Sequence, residues 1–154
     1  MAAAAIGGAD DPITAAIGRA RDQAGPAMAT NFTHPEWAMT ATEFRAFWRA
    51  PRLCAVGTVG PSGRPHAAPV EVSLLGDRFV IPTFAEAVRL RDLRANPWLS
   101  LTTWDDAYHA AIVYGRAEFS EASGGGMVSV EVRPSRIYAI RAPAWHSAGR
   151  RTLG

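Results

Sequence analysis

Thr83 and Arg89, a hydroxyl and a guanidinium six positions apart, are the first pair in this 154-residue sequence that could do chemistry. They lie in the stretch Phe79–Leu101 (FVIPTFAEAVRLRDLRANPWLSL), which opens with Phe79-Val80-Ile81, an apolar run of strand length and composition. Pro82 and Thr83 are expected to end that run. A short amphipathic helix is expected next, with Val88, Leu90 and Leu93 as apolar positions and Arg89, Arg91 and Arg94 spreading positive charge through its turns. Asn96-Pro97 then breaks the helix, and Trp98-Leu99-Ser100-Leu101 begins another strand. A free helix N-terminus, a hydroxyl and a guanidinium together make a phosphate pocket. The other reading of the same residues is a surface helix between two strands, its arginines solvated.

The remaining reactive side chains form no familiar constellation. His34, His66, His109 and His146 are scattered without a close His or Cys partner, so no metal-ligand spacing is present. Cys54 lies in an apolar run with no neighbouring base, which argues against a thiol nucleophile. Ser62 and Ser100 lack the glycines of a nucleophile elbow. The run Gly124–Gly126 has neither the lysine nor the helix of a phosphate-cradling loop. Glu71 and Glu86 show no pairing of the kind glycosidases use. A chain without its own acid, base or nucleophile borrows its reactivity from a cofactor.

The elements that must position these residues read as mostly β. Residues 1–30 are expected to be a disordered or weakly helical tail, with a weak helix over 13–24 stopped at Gly25-Pro26. One mainly β domain is expected over 31–141 and a C-terminal tail over 142–154; the resemblance given below makes that domain a split barrel. Thr40-Ala41-Thr42-Glu43 matches a capping box, starting a helix whose Phe44, Phe47 and Trp48 share one face. Strands follow over Leu53–Val59 and Pro65–Leu75, the latter an edge strand or bulged because of Pro69, and Gly76-Asp77 closes a hairpin. Further strands are expected over Trp98–Trp104 and Tyr108–Phe119, and two final ones, Met127–Arg133 and Arg136–Ile140, split by Pro134. About seven strands joined by short turns point to an antiparallel barrel or sandwich.

Composition narrows the class of partner. All sixteen basic residues are arginine, and the net charge of +2 comes with no basic tract, which argues against nucleic acid. No apolar window approaches membrane length, and the start MAAAAIGGADDP lacks the regions of a secretory signal. One cysteine excludes a disulfide scaffold, and a cytoplasmic setting is expected.

In this order the features are recognisable. Arg52–Val70 (RLCAVGTVGPSGRPHAAPV) resembles the opening of the flavin/deazaflavin-binding split β-barrel family, whose best-known type is pyridoxamine 5'-phosphate oxidase. That opening runs from an "LATV" strand through a "DGRPH" turn to a "PV" pair. The central stretch is similar to the family's "SxKxxNLxxNPxxSL" block following a threonine. Thr83, Leu93, Asn96, Pro97, Ser100 and Leu101 match it, while Ala87 replaces the serine, Arg89 the lysine and Asp92 the asparagine. Tyr114–Phe119 is similar to a later "GxAE" strand.

The resemblance implies a mainly β fold, a six-stranded antiparallel Greek-key split β-barrel that dimerises and holds FMN, or alternatively a deazaflavin coenzyme of the F-420 type, between protomers. His66, Ala67, Ala68, Pro69 and Val70 would then run past the ring system. Thr83 and Arg89 would face the phosphate, with Ser100 or Thr102 reaching it from the next strand. A small-molecule substrate would approach beside His66 and Trp104, His66 being a candidate proton donor, and Trp145-His146 could form a lid. The implied activity is an oxidoreductase. The alternatives are a flavin- or haem-binding module of the same fold and a barrel that has lost its cofactor.

Overall fold

A single alternation runs through the strands. In β1 (Arg52–Val59) Cys54, Val56 and Thr58 are buried while Leu53, Ala55 and Val59 are exposed, the period of a sheet with one face packed and one open. The computed structural model describes residues 11–121 and 125–143. Its other elements are α1 (Pro12–Asp22), α2 (Pro26–Asn31), α3 (Ala41–Phe47), β2 (Pro65–Leu75), β3 (Arg78–Phe84), α4 (Val88–Ala95), β4 (Trp98–Trp104), β5 (Ala110–Glu121) and β6 (Met127–Ile140). The six strands, all antiparallel, close into a barrel in the order β1-β2-β3-β6-β5-β4. Placing β6 beside β3 and β4 beside β1 makes the long-range closures of a Greek key. Val56, Val72, Phe79, Ile81, Leu101, Val113, Val130 and Val132 fill the interior.

Six strands form rather than seven because Pro134 is absorbed within β6. It pairs with Gly115, and the register shifts between Tyr114 and Gly115, so the bulge takes up the missing donor. Gly115 has no room for a side chain: a Cβ there would lie 2.6 Å from Val132 Cγ1 and 2.7 Å from the Arg133 carbonyl. Pro82 likewise does not end β3, which continues through Thr83 to Phe84 along β6. The bond from Ala85 N to the Gly126 carbonyl fixes the phase. By alternation the odd residues of β3 exchange bonds with β6, and Pro82 occupies a non-bonded position where it costs nothing. Pro69 is placed by the same rule. Gly60 donates to the Arg64 carbonyl at 2.8 Å, so the even residues of β2 bond to β1 and Pro69 faces the other, unpaired edge.

The helix expected over 13–24 forms as α1 and is packed on the barrel instead of trailing from it. Asp11 caps it by accepting the Thr14 N–H at 3.0 Å, Pro12 opens it, and Ile13, Ala16 and Ala20 are buried. Arg19 donates to the Ser135 carbonyl at 2.8 Å and fastens α1 to β6. The Thr40–Glu43 capping box is present with both of its bonds. It sets α3 so that Phe44 and Trp48 enter the core, with Trp48 Nε1 donating to the Val72 carbonyl at 3.1 Å. Among the described residues no helix is long and apolar enough to cross a membrane. Residues 1–10, the run 122–124 and the Trp145-His146 pair lie outside the described part.

Candidate functional site

The barrel has a split. Strand β2 pairs with β3 only over Ser73–Leu75, so from Pro65 to Val72 one edge of β2 has no strand beside it among the described residues. By the phase above, the main-chain groups on that edge belong to Pro65, Ala67, Pro69 and Glu71. Helix α4 follows directly from the end of β3, anchored by Leu90 and Leu93 in the core. Its N-cap, Ala87, has no side-chain hydrogen bond to the first turn, so the positive end of the helix is left open.

Thr83 and Arg89 meet there. Arg89 Nε donates to Thr83 Oγ1 at 3.2 Å, and that hydroxyl donates in turn to the Ile81 carbonyl at 3.2 Å. Thr83 is fully buried, so its hydroxyl fixes the guanidinium instead of facing a ligand itself. Arg89 is half-buried, and burial lowers its pKa, though far from the point at which a guanidinium loses its charge. Its two terminal nitrogens have no acceptor among the described residues. A cation with its stem clamped and its fork free, beside an uncapped helix start, has the donor set for a phosphate group.

A second cluster ties α4 to the barrel. Asp92 is fully buried. Its Oδ2 accepts Thr58 Oγ1 at 2.9 Å and lies 2.6 Å from His66 Nδ1, and its Oδ1 accepts Arg91 Nη2 at 3.4 Å. Burial pushes the Asp92 pKa up, but the bonds from His66 and Thr58 outweigh it and hold the carboxyl below its usual value. An ionised carboxylate only accepts, so His66 carries its hydrogen on Nδ1. Gly60 keeps the cluster accessible to itself, since a Cβ there would lie 3.2 Å from the imidazole and 3.3 Å from Asp92 Oδ1. Sequence reasoning picked out His66 and noted Asp92 only as a departure from the family asparagine. The visible signal was that substitution; the contact joins residues on separate elements.

The other expected site residues divide by face. His66, Ala68 and Val70 turn inward and are half-buried; Ala67 and Pro69 turn outward. Ser100 and Thr102 lie on the outer face of β4, opposite Gly57 and Ala55 of β1. Strand β4 is three places round the barrel from β3, so within one chain they do not join Thr83 and Arg89. Ser100 instead shares with His66, Trp98 and Tyr114 a groove of about 620 Å³. Trp104 lines a different cavity, of about 380 Å³, with Leu53, Ala55, Ala67 and Pro69. Cys54 borders that cavity, but burial pushes its thiol up to about 11, which makes it a poor nucleophile. Among the described residues no three His, Cys, Asp or Glu side chains come together as metal ligands.

The sequence pattern described as pyridoxamine 5'-phosphate oxidase matches residues 40–153. The chain belongs to the pyridoxamine 5'-phosphate oxidase family. Solved structures share the fold of this family member. An F420 reductase superposes with a TM-score of 0.55 at 17% identity, covering 60% of this chain and 94% of its own. A conserved hypothetical protein from Mycobacterium tuberculosis gives 0.64 at 18%, covering 70% and 88%. HutZ, the haem storage protein from Vibrio cholerae, gives 0.56 at 14%, covering 64% and 93%. No curated protein sequence matches. Against the family pattern, the arginine at 89 keeps the cation of the lysine, and Asp92 converts a neutral amide into the charged centre of the His66 cluster.

Proposed function

We propose that this protein is a flavin- or deazaflavin-dependent oxidoreductase of the pyridoxamine 5'-phosphate oxidase family, acting on a small organic substrate in the cytoplasm. The observation that carries this reading is Arg89, clamped by Thr83 at the open start of α4. FMN is the first choice and coenzyme F-420 the alternative, since both present a phosphate to such a corner. The bound cofactor would supply hydride or electron transfer.

The chain's own residues do the rest. Arg89 neutralises the anionic end and fixes its position. The main-chain groups of Ala67 and Pro69 on the free edge of β2 are available to polar atoms of the ring. His66, held through Nδ1 by Asp92, has Nε2 left to hold or pass a proton. This reading includes a homodimer. Leu53 and Trp104 are 69% and 67% exposed, on a face that also carries Ala55, Ala67, Pro69 and Trp98, apolar area of the kind that a second copy covers. Closing that face would shield the ring from water. The test is the absorbance spectrum of the purified protein, with mass spectrometry of what it releases on denaturation.

Ala87 favours a second reading, a non-catalytic module that binds flavin or haem. It removes the hydroxyl the family pattern places at the start of α4, which weakens the phosphate corner, and a haem storage protein shares the fold. Reduction of a bound flavin by nicotinamide or deazaflavin donors supports the oxidoreductase; inert binding supports the module.

A further inference from the structure

We infer that the cavity between α3, the start of β1 and the β4–β5 turn is a second ligand site, one that takes a small organic acid with a flat apolar body and a single carboxylate. It encloses about 520 Å³, within the range of pockets that hold small molecules, and lies apart from Thr83 and Arg89, neither of which lines it. Met39, Ala46 and the ring of Phe47 supply its apolar wall.

Its charges do not cancel. Both carboxylates on its rim are already engaged. Glu43 accepts the Thr40 N–H at 2.8 Å and lies 3.0 Å from Arg141. Asp105 accepts the backbone N–H groups of Ala107 and His109, each at 3.0 Å, and the His109 ring nitrogen Nδ1 at 2.9 Å. Burial raises the Asp105 pKa, yet the bonds from His109 and Ala107 prevail and keep it ionised. Of the three guanidinium groups lining the cavity, Glu43 answers Arg141. Arg49 and Arg52 have no carboxylate partner among the described residues.

Arg52 is also held in place by neutral partners. Its Cζ sits 3.6 Å over the Phe47 ring, Nη1 donates to the Phe47 carbonyl at 3.0 Å, and Nε to Thr103 Oγ1 at 3.4 Å. Nη2 is not committed to any described residue. The His109 ring stands 5.7 Å from the same phenyl ring with Nε2 uncommitted. A carboxylate meets the free nitrogen of a pre-oriented guanidinium here, and a flat body stacks on the Phe47–Arg52 pair. A dianionic phosphate fits less well, because the Phe47 carbonyl belongs to the negative end of α3.

The test is a titration of the full-length protein with sodium benzoate, followed by tryptophan fluorescence and by the imidazole and indole resonances. Trp48 packs edge-on to Phe47 at 6.2 Å and reports on the cavity wall. Saturable binding that shifts the His109 ring is expected, weakened about tenfold in Arg52→Gln by loss of one charge-assisted bond. Arg52 also holds the last turn of α3, so Ala46→Trp, from an exposed helix position, provides the independent variant: it fills the cavity and is expected to abolish binding. Arg89→Gln is expected to leave benzoate affinity unchanged. Absence of saturable binding, binding that survives Ala46→Trp, or loss of binding in Arg89→Gln would each overturn the assignment. None of these outcomes depends on the cofactor reading.

Discussion

Replacing Asp92 tests the polar cluster that joins α4 to the barrel. In Asp92→Ala the buried Thr58 hydroxyl loses its acceptor, and an unmatched buried donor costs about 1–3 kcal/mol. His66 also loses its partner, but its side chain is 34% exposed and water replaces most of that bond. The sum is about 2–3 kcal/mol, which for a domain near this size lowers the melting temperature by roughly 4–12 °C. Asp92→Asn keeps an acceptor for Thr58 and loses only the charge, so about 1 kcal/mol is expected. The pH dependence has a defined sign. The folded carboxyl titrates below its usual value, so its contribution is complete above the unfolded pKa of about 3.9 and is lost as pH falls through the lower folded value. The gap between wild type and Asp92→Asn in thermal melts is therefore constant from neutral pH down to about pH 5 and closes on further acidification. Asp92→Ala melting with the wild type, or a gap that widens in acid, refutes the reasoning.

Three further outcomes are expected. Gly115→Ala drives a methyl against Val132 and the Arg133 carbonyl, and an overpacked site of this kind costs about 1–3 kcal/mol, read as a lower denaturant midpoint. The Cys54 thiol, raised to about 11, reacts with a disulfide reagent only slowly in the native protein at neutral pH and rapidly once denatured; fast native labelling contradicts its burial. Replacing both Leu53 and Trp104 by arginine converts a dimer into a monomer in sedimentation, and a wild-type protein that is monomeric at all concentrations contradicts the proposed covered face.

Much of the architecture was legible because local rules acted alone. The limits of β2 follow from a turn cluster on one side and Gly76-Asp77 on the other, and Trp98–Trp104 follows from Asn96-Pro97 and a clean alternation. The capping box set the start of α3 for the same reason. Pro82 and Pro134 misled: Pro82 sits at a non-bonded position of its ladder, a phase set with the partner strand, and Pro134 is taken up by a bulge. Helix α1 reads weakly since alanines carry most of its buried face; its stability comes from docking on β6. At the site, Thr83 and Arg89 were legible as a pair because a strand end and a helix start lie close in sequence. The His66–Asp92 bond spans separate elements, and the outward aim of Ser100 and Thr102 depends on which strands flank β4.

The measurement that bears most directly on the phosphate corner is an equilibrium titration of the apoprotein with FMN, and in parallel with F-420, for wild type and Arg89→Ala. Wild type is expected to bind one of the two with a defined stoichiometry. Arg89→Ala is expected to bind it about 30- to 150-fold more weakly, the loss of a charge-assisted contact of about 2–3 kcal/mol. Wild-type protein that binds neither cofactor, or an Arg89→Ala variant that binds as tightly as wild type, contradicts the assignment of Arg89 as the anchor.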